Sequence, residues 1–125
     1  MGIRESVAML VRAVEAGRFV EAIDAHYADD ASSHESRGLD TMGKPALLAK
    51  ERDFLTTVET WNHIQAVDVL VDGLMVAIHW KFELTSAGKR IKLEEIALQH
   101  WSGDGASARI VREQYFNYPP GSTPR

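Results

Sequence analysis

Two stretches toward the C-terminal end carry more acid and amide than a buried strand tolerates. In Leu93-Glu94-Glu95-Ile96-Ala97-Leu98-Gln99-His100-Trp101 and in Val111-Arg112-Glu113-Gln114-Tyr115-Phe116-Asn117, side chains must alternate between the two faces of a sheet. If Ala97 faces the interior, so do Leu93, Glu95, Gln99 and Trp101. The matching row on the next strand is Val111, Glu113, Tyr115 and Asn117. A strand points Glu, Gln and Asn inward only where they line a cavity. A slip of one residue would put these groups in water, but it would also expose Leu93, Trp101 and Tyr115. The inward register is therefore expected, with Glu95 as an acid–base group and Gln99, Glu113, Tyr115 and Asn117 as ligand-binding groups.

Other residues could join them. His34 stands beside Glu35, and an imidazole that titrates near neutrality can relay protons for its neighbour. Lys50 falls between Leu47 and Phe54, at the edge of an apolar helix face. It can neutralise a buried carboxylate or polarise a substrate oxygen, or it can lay its stem on the core and send its ammonium to water. Of the flat apolar surfaces of Trp61, Trp80 and Trp101, Trp80 is expected to wall a ligand pocket. The five histidines show no His-x-x-x-His pair or His/carboxylate set at ligand spacing, so neither metal nor cofactor is expected.

The whole chain bounds these readings. Its 125 residues fit one domain with a real core, and 45% hydrophobic content is ordinary for a globular protein. Lysine and arginine number 14 against 18 acidic residues, a net charge of −4 with no basic block. That argues against nucleic acid or an anionic membrane as partner. The absence of cysteine removes disulfides, thiolate zinc sites and cysteine nucleophiles, and fits a reducing cytoplasm. No apolar run approaches the roughly 20 residues of a membrane span, and Met1 to Ser6 lacks a secretory hydrophobic region. Met1-Gly2 with Ser6 matches the loose N-myristoylation pattern, but the same residues read as the start of an amphipathic helix. A cytoplasmic location is expected.

The elements that must position the polar rows follow from periodicity. Val7, Leu10, Val11 and Val14 recur at helical spacing from about Arg4 to Ala16, and Gly17 stops that helix. A second short helix carries Phe19, Ala22, Ile23, His26 and Tyr27 on one face, and Ala28-Asp29-Asp30-Ala31 ends it. A short extended piece spans Ser32 to Glu35, and a loop with Gly38 runs from Ser36 to Met42. Pro45 opens a third helix with Leu47, Leu48, Phe54, Leu55 and Val58. Beyond Glu59 alternation takes over, with Val67, Val69 and Val71 before the hairpin signal Asp72-Gly73. Val76, Ile78, Trp80, Phe82 and Leu84 then share one face before the turn Ser86-Ala87-Gly88. Strands from about Arg90 to Trp101 and from Ala108 to about Tyr118 complete a four-strand meander. Helices first and strands after is an α+β arrangement, a single domain over 1–118 with a loose tail over 119–125.

That order brings particular residues into sequence. Tyr27-Ala28-Asp29-Asp30-Ala31 is followed by His34-Glu35 and Gly38, then by Gly43-Lys44 at the third helix. Leu93-Glu94-Glu95-Ile96-Ala97 with Trp101 comes next, then Ile110-Val111-Arg112-Glu113 with Tyr115. Over nearly the whole chain this resembles the nuclear transport factor 2-like superfamily, which includes SnoaL-like polyketide cyclases and ketosteroid isomerases. The resemblance implies three helices packed on a curved antiparallel sheet, a cone-shaped α+β barrel with ligands held between sheet and helices. It places Glu35 where ketosteroid isomerases carry their aspartate base. A carboxylate there can move a proton to and from carbon beside a carbonyl. It also places the isomerases' oxyanion-hole tyrosine near Leu10 or Val11, and their protonated aspartate at Ala97. Losing both donors would cost several kcal/mol of transition-state stabilisation, so a true ketosteroid isomerase is not expected.

The expected activity is acid–base chemistry of the isomerase, cyclase or hydratase type on a small, largely apolar, oxygen-bearing molecule. Glu35 would be the base, with Glu95 and His34 in supporting catalytic roles. The alternative is a non-catalytic ligand-binding or assembly module built on the same fold. Ile96, Leu98, Phe116 and Tyr118 form an apolar outward set, and members of the resembled superfamily commonly pair through this convex face. A two-fold homodimer is therefore expected.

Overall fold

The computed structural model describes residues 2–36 and 38–118, with the backbone alone at Tyr118. The expected loose tail over 119–125 lies outside the described residues. Helix α1 spans Ile3–Glu15 and buries Val7 and Leu10, the positions its periodicity marks. Gly17 ends it with a φ of 79°, a conformation that glycine adopts without strain. Helix α2 is Phe19–His26, with Phe19, Ala22 and His26 buried on one side. Helix α3, Lys44–Leu55, carries Pro45 in its first turn, where the missing N–H costs nothing.

Strands β1 (Tyr27–Glu35) and β2 (Asp40–Met42) lie between α2 and α3. Strands β3 (Thr60–Asp72), β4 (Met75–Ser86), β5 (Lys89–Ser102) and β6 (Arg109–Tyr118) follow as a meander. They form one six-stranded sheet in the order β2-β1-β6-β5-β4-β3. Every neighbouring pair is antiparallel except β1 and β6, which run parallel, so the expected antiparallel sheet is mixed at this seam. The sheet does not close, because β2 and β3 remain its two edges. Side chains of α1 cover part of the β3 edge. The Ala66 N–H donates to Glu15 at 3.0 Å, and Arg4 donates to the Val71 carbonyl at 3.3 Å.

Three local features differ from the sequence reading. The stretch Ala28 to Ala31, expected to end a helix, belongs to β1, whose partner β6 is some eighty residues away and invisible to local pattern. Part of the expected loop from Ser36 to Met42 is strand β2, with Ser33 opposite Thr41 and His34 opposite Asp40. A bulge also breaks the β5–β6 register, since Trp101 faces Ile110 while His100 faces Arg112. Val111 is the extra residue, so Ile110 rather than Val111 takes the inward position and is fully buried. Beyond the bulge the expected alternation resumes.

The inner face meets the helices in one apolar cluster. Val7, Leu10, Ala22 and Leu47 pack with Val76, Ile78, Trp80, Ala97, Trp101 and Ile110. No helix among the described residues is long and apolar enough to cross a membrane.

Candidate functional site

Cross-strand register assembles the site. On the inner face Gln99 lies opposite Glu113, Ala97 opposite Tyr115, and Glu95 opposite Asn117. Across the other edge of β5, Trp80 lies opposite Glu95. Across the far edge of β6, Ser33 lies opposite Glu113 and Glu35 opposite Tyr115. Residues opposite one another in a ladder project to the same side, so strands β1, β4, β5 and β6 contribute to one patch. Helix α3 brings Lys50 and Glu51 to it.

Glu113 is the floor of this patch, with 1% of its surface exposed. The hydroxyls of Tyr27 and Tyr115 both donate to one carboxylate oxygen. The Gln99 amide donates to the other at 2.6 Å, and the Trp101 indole N–H donates to the Gln99 carbonyl oxygen at 3.0 Å. The indole bond fixes which end of the Gln99 amide points at Glu113. Burial raises the Glu113 pKa while its three donors and Lys50 pull it down, and burial wins. Both tyrosine hydroxyls are pushed well above their ordinary range, by burial first and by the Glu113 charge second, so they stay protonated donors.

Glu95 has no such set of donors. Burial, then repulsion from Glu113, Glu51 and Glu35, raises its pKa to about 8, against a smaller opposing pull from Lys50. It therefore carries a proton at neutral pH. Glu51 is also raised, by burial first; Lys50 lowers it and Glu113 adds repulsion. At the outer end, the Lys50 ammonium donates to Glu35 Oε2 at 3.1 Å, with the two side chains 39% and 27% exposed. Lys50 thus pairs with a part-exposed carboxylate at the rim, between the roles of neutralising a buried acid and sending its ammonium to water.

Exposure rises in the same direction along the inward rows of β1, β5 and β6, whereas on β4 Leu84, beyond Phe82, is buried. On β5 it runs from buried Trp101, Gln99 and Ala97 through half-buried Glu95 to exposed Leu93. On β6 it runs from Ile110 and Glu113 through Tyr115 to exposed Asn117, and on β1 from Ser33 to Glu35. The rows open toward water at one end of the inner face, with Glu113 at the bottom and Glu35, Lys50 and Asn117 at the rim. Two open hollows lie elsewhere, about 350 Å³ between α1 and β3 and about 340 Å³ across β3, β4 and β5. Neither is lined by Glu35, Glu51, Glu95 or Glu113.

The structure thus brings Glu35, Glu95, Gln99, Glu113, Tyr115 and Lys50 together. Trp80 is buried as a wall beside Glu95, stacked on Phe82 at 5.6 Å and 17°. His34 is not with them. Alternation turns it to the opposite face from Glu35, where Nδ1 meets Asp40 at 2.9 Å and Nε2 meets Ser32 Oγ at 2.8 Å. That Ser–His–Asp chain has the order of a nucleophile relay, but Ser32 is buried and the chain ties β2 to β1. Leu10 and Ala97, where the resemblance would put oxyanion donors, are buried apolar core.

Sequence reasoning missed Glu51 and the Tyr27 hydroxyl as members of the site. Glu51 lies four residues from both Leu47 and Leu55, on the apolar stripe of α3, and a carboxylate there is a visible signal. Among the described residues no group of three or more His, Asp or Glu side chains is arranged to hold a metal ion.

Comparison with known proteins places this geometry. Residues 7–112 match the model of the SnoaL-like domain. A Mesorhizobium loti protein described as a SnoaL-like polyketide cyclase shares the fold with a TM-score of 0.80 and 23% identity, over 93% of this chain and 99% of that one. A Catenulispora acidiphila protein with a ketosteroid isomerase-like fold, solved in complex with trimethylamine, gives 0.72 and 16%, over 93% and 87%. TerC, co-crystallised with polyporic acid, gives 0.72 and 13%, over 91% and 89%. No curated protein matches the sequence. On the family match over most of its length, with the fold in agreement, the chain belongs to the SnoaL-like domain family.

Proposed function

We propose that this protein moves a proton on a small, largely apolar, oxygen-bearing molecule held at the open end of the inner face. The observation that carries the reading is the pairing of two unlike carboxyl groups there. Glu35 is salt-bridged to Lys50, while Glu95 keeps its proton to about pH 8. A carboxylate paired with an ammonium and a carboxyl that keeps its proton can serve as base and acid at one pH.

In this reading Glu35 takes a proton from carbon beside a carbonyl, or from water. Glu95 donates a hydrogen bond, or its proton, to the oxygen on which negative charge develops. Lys50 is shared between Glu35 and that oxygen. Tyr115 and Tyr27 stay engaged with Glu113 and hold the floor rigid, and Trp80 with Phe82 supplies the apolar wall. Gln99 acts through Glu113, and Asn117 at the rim is free to meet a polar end of the ligand. The solved neighbours that hold trimethylamine and polyporic acid support small-molecule binding on this fold.

Screening ketones, enones and epoxides for turnover tests the reading, followed by Glu35→Gln. That variant keeps size and hydrogen bonding but removes basicity. It should lower turnover by about a hundredfold or more with ligand affinity nearly intact. Equal turnover would leave Glu35 as a wall residue and favour a non-catalytic binding module.

The outer face bears on assembly. Phe116 is 44% exposed there, beside partly exposed Ile96 and Leu98. A two-fold dimer that covers them is the proposed state, and a monomer mass by light scattering at micromolar concentration would remove it.

A further inference from the structure

Among the described residues, the open end of the inner face gathers more negative charge than it answers. There Glu95 feels Glu113, Glu51 and Glu35 as like charges and Lys50 as an opposite charge, so four described carboxyls share one described ammonium. Lys50 is committed to Glu35 at the rim, 3.1 Å away. The neutral donors Tyr27, Tyr115 and Gln99 are all spent on Glu113.

A second observation points into the same place. Ser33 is 1% exposed, and it projects from β1 on the same side as its ladder partner Glu113. Among the described residues its hydroxyl has no hydrogen-bond partner. Buried hydroxyls are nearly always satisfied, so an orphan beside a carboxylate marks a place where another polar group belongs. A third observation concerns the wall. Trp80 stands opposite Glu95, Phe82 lies parallel to Trp80, and Trp61 meets Phe82 edge-on at 5.9 Å. Phe82 and Trp61 are only partly buried, and Phe82 lies one inward position beyond Trp80 on β4, opposite Leu93 at the exposed end of the β5 row.

Carboxylates in excess beside aromatic faces form a receptor for an ammonium group, since both attract a cation that sheds part of its water. We propose that the ligand of this site carries a positively charged nitrogen, a protonated or quaternary amine, seated between the aromatic wall and Glu95. This rests on the small-molecule reading above and names the ligand class; with an ammonium seated, Glu95 becomes its anionic partner and Lys50 takes over the contact to the ligand oxygen. The raised pKa of Glu95 agrees with it: until an ammonium arrives, a proton supplies the missing positive charge. Binding a fixed cation should therefore release protons. Facing Glu95 are Glu35 from β1, Lys50 and Glu51 from α3, and Glu113 and Tyr115 from β6. Of the charged groups among them only Lys50 opposes the cation.

The experiment is calorimetric titration with choline, whose charge does not change with pH, and with its uncharged isostere, in which carbon replaces nitrogen. Choline should bind at least tenfold more tightly than the isostere at pH 8. Its affinity should rise as pH increases toward about 8, by up to tenfold per unit for one linked proton, and then level off. Glu95→Gln should flatten that pH profile, and Phe82→Leu should weaken choline more than the isostere. Equal affinity for the two probes would overturn the ammonium preference and leave the pocket reading standing. Failure of choline to bind while a neutral ketone turns over would also overturn it. The Glu35→Gln turnover assay judges the pocket reading separately.

Discussion

The inner face of the sheet has two ends made from the same strands by the same alternation, and they do opposite things. At one end Val76, Ile78, Ala97, Trp101 and Ile110 meet Val7, Leu10 and Ala22 of the first two helices, and nearly all are fully buried. At the other end Glu95, Tyr115 and Glu35 meet Lys50 and Glu51 of α3, and burial is partial. Burial of apolar area holds the first end together. The second end is tolerated only as far as donors answer its acids. Glu113, between the two, has three donors and is locked; Glu95, two inward positions nearer the opening on the neighbouring strand, has none of these and keeps a proton instead. A shift of four residues along the ladder thus separates a carboxyl fixed by donors from one that holds its own proton.

The sharpest way to break this comparison is to remove the locked acid. Glu113→Ala would leave the hydroxyls of Tyr27 and Tyr115 and the amide of Gln99 without their acceptor, and would open a cavity beside Ser33. Loss of a buried charged partner with several bonds costs about 3–5 kcal/mol, against about 1 kcal/mol for Ile78→Val at the apolar end. Urea unfolding of both variants measures the difference. A Glu113→Ala cost no larger than that of Ile78→Val would mean the network holds nothing.

A smaller effect should appear in the pH dependence of stability. The pKa of Glu95 rises from 4.5 toward about 8 on folding, so the folded state holds a proton that the unfolded chain has lost. The contribution of this group is therefore fully present below pH 4.5 and is lost as pH rises through about 8. Within that window stability should fall by at most about 1.4 kcal/mol per pH unit from this group. Glu51 and Glu113 are shifted in the same direction and add to the fall. Glu95→Gln should remove the Glu95 part and flatten the curve between pH 5 and 8. Burial lowers the pKa of His26, which works in the opposite direction in both proteins, so the readout is the difference between them: wild-type and Glu95→Gln curves of equal slope would show that Glu95 is solvated.

Much of this contrast was readable in the residues. Alternation alone set Glu95, Gln99, Glu113 and Tyr115 on one face, because Leu93, Trp101 and Tyr115 fix the register, and helical spacing marked Val7 and Leu10 as core. Alternation also carried the information that His34 and Glu35, as adjacent strand residues, must point apart; grouping them as relay partners overlooked it. The bulge at Val111 was not legible, since an inserted residue leaves no local composition signal in a strand of uniform alternation. Nor was the parallel pairing of β1 with β6, which depends on contacts far apart in sequence. Glu51 was legible on the α3 stripe, four residues from Leu47 and from Leu55, but the sequence reading named only the apolar residues and Lys50 there.

The smallest expected effect sharpens the comparison most finely, because it separates charge from stability at the rim. Lys50→Met removes the ammonium that acts on these carboxyls among the described residues and breaks the pair with Glu35, whose partners are 39% and 27% exposed. Exposed pairs are worth about 0–1 kcal/mol, so urea unfolding at neutral pH should barely change. The ammonium nevertheless pulls down the pKa values of Glu95, Glu51 and Glu113 together. Without it, all three should hold their protons to higher pH. Carboxyl-carbon NMR of labelled glutamate would read this directly, as a Glu95 titration midpoint above about 8. The fall of stability with pH should then extend to more alkaline conditions, while the apolar end, which holds no titrating group of this kind, leaves the neutral-pH stability where it was. A midpoint that stays put would place the Lys50 charge out in water, and Glu95 would then owe its proton to burial and its acidic neighbours alone.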